Sequence, residues 1–199
     1  MEFLWLPVFV AVGAATFWFR GSALWNQLTG MGKTTGDFAW AIPMAGLAVA
    51  AGFPLADLPG LALALWLGGR LGWWGSLDMG TMGHTLQRDF LMHSARGFFW
   101  TAPAALYMFV TTWDVWGEWA WQGNHPGIIA LVLAGLTAGF AWWLGFKIRP
   151  PVYQAIHQPD GSIHMHYDAA DQKRPWATEI GELVYGALIG LGLYLAVVL

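Results

Sequence analysis

Long apolar runs alternate along this chain with short segments that hold nearly all of its charge, and that alternation leaves very few folds open. The runs cover residues of about 3–19, 38–56, 58–77, 98–116, 127–146 and 178–199. Each is near the ~20 residues that a helix needs to cross a hydrocarbon core of ~30 Å. A backbone in lipid must satisfy its own hydrogen bonds, so runs of this length are read as helices. Of the 199 residues, 57% are hydrophobic and 11% are charged, whereas soluble domains are roughly one quarter charged. The expected fold is therefore an all-α integral membrane protein, one transmembrane domain over residues 1–199. It is built as a six-helix bundle with one cytoplasmic interfacial helix and a short cytoplasmic β-hairpin within residues 150–177.

Local signals agree with these boundaries. The first run starts with Glu2 rather than with basic residues and has no small-residue cleavage site, so it reads as a retained span and not a secretory signal. Pro7 falls in its first turns, where a missing N–H costs least. Pro54, Asp57, Pro59 and Gly60 mark a tight reversal. Thr178 is a hydroxyl N-cap candidate, and Glu179 follows in the first turn, where the helix dipole favours an acid.

The charges divide by side. Connections one, three and five carry Arg20 and Lys33, then Arg88 and Arg96, then Lys147, Arg149, Lys173 and Arg174. Connections two and four carry Asp57, Asp114 and Glu118, without Lys or Arg. By the positive-inside rule the odd connections are cytoplasmic, and both termini lie on the non-cytoplasmic side. The expected location is a bacterial inner membrane, crossed several times. Fifteen Trp residues suit an interfacial belt, where the ring is apolar and its N–H stays wet.

Charge is concentrated most strongly between Gly68 and Gly97, which include Arg70, Asp78, His84, Arg88, Asp89, His93 and Arg96. Arg70 lies about six residues, ~9 Å at the helical rise, from the cytoplasmic end of the third run. Glu182 lies at a similar depth in the sixth. A lone charge at mid-helix costs ~2.5–3.5 kcal/mol on insertion scales, so pairing lowers the cost of both. Arg70 and Glu182 are expected to pair, or to share an intramembrane polar cluster with Asp78. The alternatives are that Arg70 snorkels to the headgroups alone or binds a substrate.

His84 and Asp89 match the H-x4-D spacing of glycerolipid acyltransferases, in which a carboxylate orients a His base. The competing reading of the same stretch is an amphipathic interfacial helix, with Leu86, Phe90 and Gly97 toward lipid and Arg88 and Arg96 toward phosphates. The run from Gly30 to Thr35 looks like a phosphate loop but has Gln27 where the pattern needs Gly, and no strand precedes it.

In the fifth connection, two short runs around Pro159-Asp160-Gly161 read as a hairpin. Its His157, His164 and His166, with Asp160 and Asp168, are a candidate divalent-metal set, because imidazole suits Zn, Ni or Cu. Gly135 with Gly139, and Gly186 with Gly190, are small-xxx-small patterns that let helices approach closely, within one chain or between copies. No Cys is present, which excludes disulfides and thiolate chemistry. No Lys lies inside a run, which excludes a retinal Schiff base, and no His lies there to hold a buried haem. No cofactor is expected.

Trp40-Ala-Ile-Pro43, Gly69 to Gly80 and Thr178-Glu-Ile-Gly-Glu182 resemble patterns in small polytopic membrane proteins of tailed-phage and prophage genomes. That resemblance implies an origin and brings no activity with it. The expected function is a non-enzymatic membrane protein acting by oligomerisation or partner binding: a scaffold, a channel-like assembly or a phage-encoded envelope factor. Its expected partners are membrane lipids and either a second copy or another membrane protein. A formal net charge of −3 gives no reason to expect nucleic acid. The alternatives are a lipid-modifying enzyme using His84 and Asp89, and a small-solute transporter using Arg70.

Overall fold

Each apolar run that becomes a helix must bury one side against a neighbour, and here the neighbours in space are the neighbours in sequence. The computed structural model describes residues 4–20, 33–81, 90–111, 126–148, 153–157, 163–167 and 176–199. Among them are six helices: α1 (Trp5–Arg20), α2 (Lys33–Ala50), α3 (Leu58–Thr81), α4 (Phe90–Thr111), α5 (Pro126–Ile148) and α6 (Trp176–Val198). Strands β1 (Tyr153–His157) and β2 (Ile163–Tyr167) lie between α5 and α6 and pair antiparallel, Tyr153 with Tyr167 and His157 with Ile163.

The helices form a ring. Each packs on the next in chain order, and α6 closes on α1. The contacts show that neighbours run antiparallel. On α3 and α4, Asp57 and Gly60 meet Tyr107 while Gly68 and Gly72 meet Trp100. On α5 and α6, Gly127 meets Leu195 while Trp142 meets Tyr185. On α6 and α1, Tyr194 meets Phe9 while Tyr185 meets Phe17. One end of the ring therefore gathers the C-terminal ends of α1, α3 and α5 with the N-terminal ends of α2, α4 and α6. Arg20, Lys33, Arg96 and Lys147 all belong to helix segments at that end, and Asp57 to the other.

Glycine determines how closely the seams approach. A Cβ at Gly97 on α4 would run into the carbonyl of Gly135 on α5, and one at Gly186 on α6 would run into the carbonyl of Gly13 on α1. The small-residue pairs are thus spent on packing within the chain: Gly135 and Gly139 against Gly97, and Gly186 and Gly190 against Gly13.

Several expectations are corrected. The six-span bundle is replaced by a helical ring in which two helices are long and apolar enough to cross a membrane, Pro126–Leu144 and Ile180–Val198, among the described residues. Trp5–Phe19 and Asp37–Ala50 are apolar but shorter. The remaining two helices interrupt their apolar runs with Gly68, Gly69 and Arg70, and with Arg96 and Thr101, because those positions meet other helices rather than hydrocarbon. From Phe90 onward the stretch expected to form an interfacial helix belongs to α4, and Gly97 is buried against α5 instead of facing lipid. Helix α2 begins at Lys33 rather than Phe38. It ends at Ala50 rather than Ala56 because Gly52, at φ 119°, turns the chain so that its N–H bonds the Val49 carbonyl at 3.0 Å and that of Phe53 the Ala48 carbonyl at 2.9 Å. Only a residue without a Cβ adopts that conformation freely.

At the end away from the basic residues, the Tyr107 hydroxyl donates to the Asp57 carboxylate at 3.0 Å, fastening α4 to the turn before α3. Partial burial, then the hydrogen bond to Asp57 and its negative charge, raise the Tyr107 pKa above the usual 10.0. A phenol raised in the folded state contributes stability that is complete below about pH 10 and is lost as pH climbs through its folded value. Alkaline thermal melts should show this loss in the native chain and not in Tyr107→Phe.

Seam tightness is testable with glycine variants. Gly97→Ala and Gly186→Ala should each lower stability by about 1–3 kcal/mol, the ordinary cost of overpacking. Gly46→Ala, where a Cβ would meet nothing within 4 Å, should instead raise it by up to ~1 kcal/mol through helix propensity. Thermal unfolding in one detergent ranks the three, and a neutral Gly97→Ala would refute the close approach of α4 to α5.

Candidate functional site

Helix α2 turns one face inward: Asp37, Trp40, Ala41, Met44, Ala45 and Ala48 are all buried, at the i, i+3, i+4 spacing of a single helical stripe. That stripe begins with a charge. Asp37 is 0% exposed, and its Oδ2 accepts a hydrogen bond from Nη2 of Arg70 on α3, whose side chain is 16% exposed. Helix α3 leaves room for the carboxylate with a glycine. A Cβ at Gly69 would lie 3.1 Å from Asp37 Cγ and 3.0 Å from the Trp100 ring.

Aromatic rings from the other helices surround the pair. Trp40 and Trp100 are wholly buried and meet edge to face at 5.5 Å. Phe17 of α1 lies 5.0 Å from Trp100 and 4.7 Å from Tyr185 of α6. Tyr185 in turn sits 5.9 Å from Trp142 of α5, and the Arg96 guanidinium of α4 lies 5.3 Å over the Trp142 ring. Every helix of the ring thus contributes a side chain to one layer near the basic end. Glu182 of α6, 5% exposed, stands one turn before Tyr185 on the same inner face.

An ion pair in such a setting couples two helices but resists chemistry. Aromatic walls exclude water, so the attraction between Asp37 and Arg70 is screened little. A carboxylate held by a guanidinium is a poor general base. Arg96 over Trp142 adds a cation–π contact of ~0.5–2 kcal/mol. The layer is built to hold charge in place.

The site residues expected from sequence divide into three groups. Arg70 and Glu182 both lie in the buried layer, and Arg70 has an ion-pair partner the sequence reading did not consider, Asp37, in place of a guanidinium extended alone to the headgroups. Gly135, Gly139, Gly186 and Gly190 line helix seams. His84 and Asp89 lie outside the described residues, as do Asp160, Asp168 and the side chain of Asp78. The strand pairing sets His164 opposite Ile156, His166 opposite Gln154 and His157 opposite Ile163. Among the described residues no cluster of three His, Cys, Asp or Glu is placed to hold a metal.

Hydropathy does not mark Asp37, because the apolar run begins only at Phe38 while the helix begins at Lys33. The signal that would have found it is the spacing of Asp37, Trp40, Ala41 and Met44, which continues the stripe one turn upstream. No family model, curated protein or solved structure matches this chain.

Removing one partner of a buried pair leaves an uncompensated charge and costs about 3–5 kcal/mol, whereas replacing both by apolar groups is often neutral. Asp37→Ala should therefore destabilise the protein by about that amount, and the double variant Asp37→Leu with Arg70→Met should recover most of it. A double-mutant cycle on thermal stability measures both, and additive losses would refute the coupling.

Proposed function

We propose that this chain is an integral membrane protein that works through its lipid-facing surface, by binding copies of itself or another membrane protein, rather than by catalysing a reaction. The observation that carries this reading is the inverted polarity of the ring. Among the described side chains, every exposed residue is apolar, aromatic, Gly, Pro or Thr, while Asp37, Glu182 and most of Arg70 are buried. The two exposed threonines return their hydroxyls to their own helices, Thr111 to the Tyr107 carbonyl at 3.0 Å and Thr137 to the Leu133 carbonyl at 2.8 Å. Soluble proteins place Lys, Glu, Asp and Arg on the surface. A surface without them suits hydrocarbon.

Two helices have the length and apolarity to cross, and the connection between them holds Lys147, Arg149, Lys173 and Arg174. In a bacterial inner membrane the positive-inside rule puts that connection and the β1–β2 pair in the cytoplasm. The antiparallel contacts of Phe9 with Tyr194 then put both chain ends on the non-cytoplasmic side. Because the glycine seams are used internally, a second protein would meet the outer stripe of α5, where Ile129, Leu133, Phe140 and Leu144 are exposed.

Cysteine scanning needs no prior removal of native thiols, since the chain has none. In intact spheroplasts a membrane-impermeant maleimide should label Ala56→Cys and not Ser162→Cys. Labelling of both positions from one side would overturn the orientation. Cross-linking of Leu133→Cys in native membranes should yield a covalent dimer or a conjugate with another membrane protein, and monomer alone would defeat the partner reading.

A further inference from the structure

Helices α2 and α4 carry one sequence pattern twice. Phe38-Ala-Trp40-Ala-Ile-Pro43-Met-Ala45 on α2 returns as Phe98-Phe-Trp100-Thr-Ala-Pro103-Ala-Ala105 on α4. The same positions turn inward: Trp40 and Trp100, Met44 and Ala104, Ala45 and Ala105, Ala48 and Met108 are all buried. In each helix the proline lacks the N–H that would bond the carbonyl four residues earlier, and sharp bends concentrate at such points.

The two helices differ in what holds them. On both sides α4 is seated backbone to backbone: a Cβ at Gly68 of α3 would strike the Trp100 carbonyl, and one at Gly97 would strike that of Gly135 on α5. The α5–α6 and α6–α1 seams close in the same way, at Gly127 with Leu195 and at Gly13 with Gly186. Among the described residues α2 has no such seat. Gly46 meets nothing within 4 Å, and the nearest atoms to a Cβ at Gly69 belong to the side chains of Asp37 and Trp100. The seams of α2 with α1 and α3 are also the least extensive of the ring. Before Pro43, side chains do the holding: Asp37 on Arg70, Phe38 stacked on Trp66 at 5.2 Å, and Trp40 edge-on to Phe17 at 6.1 Å. The same part carries a cost of the closed ring, for the wholly buried Trp40 has an indole N–H that meets no acceptor among the described residues, and a buried donor left unmade lowers stability.

We propose that the part of α2 before Pro43 is a lateral gate between α1 and α3, with Pro43 as its hinge and the Asp37–Arg70 pair as its latch. The part beyond Pro43 stays in place, tied to α3 by the short turn through Gly52, where Phe53 is buried and its N–H bonds the Ala48 carbonyl at 2.9 Å. Opening parts no backbone seat and frees the Trp40 N–H to find the partner it lacks in the closed ring. It uncovers Gly69 and Arg70 of α3 at the outer face of the ring. Helix α4 bends at the same proline position but stays fixed, because its glycine seats on α3 and α5 would have to separate first.

Distances between paired spin labels test this on the full chain in lipid nanodiscs, with the labels on cysteines introduced into a chain that has none. Ala39→Cys on α2 with Leu144→Cys on α5 spans the ring through the gate, and Ala15→Cys on α1 with Ala95→Cys on α4 spans it beside the gate. In Asp37→Asn, which breaks the latch, the first pair should gain a second distance longer by ~5 Å, half the width of a helix, while the second pair keeps one distance. Adding Pro43→Ala, which restores the missing backbone hydrogen bond, should remove the longer distance. A single unchanged distance across the gate in Asp37→Asn overturns the proposal. So does equal lengthening of the second pair, which marks a ring loosened throughout, or a longer distance that persists with Pro43→Ala. Hydrogen exchange supplies a test that needs no latch variant and holds even where Asp37→Asn fails to fold. Pro43→Ala should slow exchange of the amides from Phe38 to Ile42 roughly tenfold, and Pro103→Ala should leave those from Phe98 to Ala102 unchanged. Unslowed exchange in Pro43→Ala, or equal slowing in both variants, overturns the gate.

Discussion

The contact between Asp37 and Arg70 governs how the rest of the molecule is arranged, because a carboxylate and a guanidinium taken from water must be compensated wherever they go. Neither has a place on the exposed surface of this ring, where every described side chain is apolar, aromatic, Gly, Pro or Thr. Each therefore faces inward, and each draws its helix with it: α2 extends one turn upstream of its apolar run so that Asp37 can meet Arg70 on α3. Gly69 accommodates the carboxylate, and Gly68 and Gly72 accommodate the Trp100 ring that shields it. A charge pair that would contribute little in water thereby couples helices strongly.

The same constraint explains the distribution of small and large residues. Where hydrophobicity gives helices no reason to associate, close packing must supply it, and backbones approach at Gly97 with Gly135 and at Gly13 with Gly186. Away from those seams the interior is filled by rings from α1, α2, α4, α5 and α6, with Trp40 and Trp100 meeting edge to face. Large aromatics on some helices and bare glycine on their neighbours are two halves of one packing solution. It closes the ring with α6 on α1, so no helix is left at an open edge.

Function follows from what this arrangement leaves available. The small-residue stripes that would serve dimerisation are buried inside the chain, so a partner must meet the outer aliphatic and aromatic stripes instead. The interior, by contrast, has polar groups in excess of what packing needs. By our proposal the surface mediates association, while the interior holds charge.

Much of this was legible in the residues themselves. Where helices occur, the reversal at Pro54 to Gly60, the gathering of Arg and Lys at one end and the small-residue patterns at Gly135 and Gly186 all follow from local composition, because lipid-compatible helices and tight turns are set by neighbouring side chains. The sequence also raised a pairing of Arg70, with Glu182 or in a cluster with Asp78, beside the alternatives that it snorkels alone or binds a substrate. It did not identify Asp37 as the partner, for the two are 33 positions apart and only the packing of α2 on α3 brings them together. Nor did it show that Gly97 meets α5. Those outcomes depend on which faces meet across the ring, and a face acquires its neighbour only when the whole chain has closed.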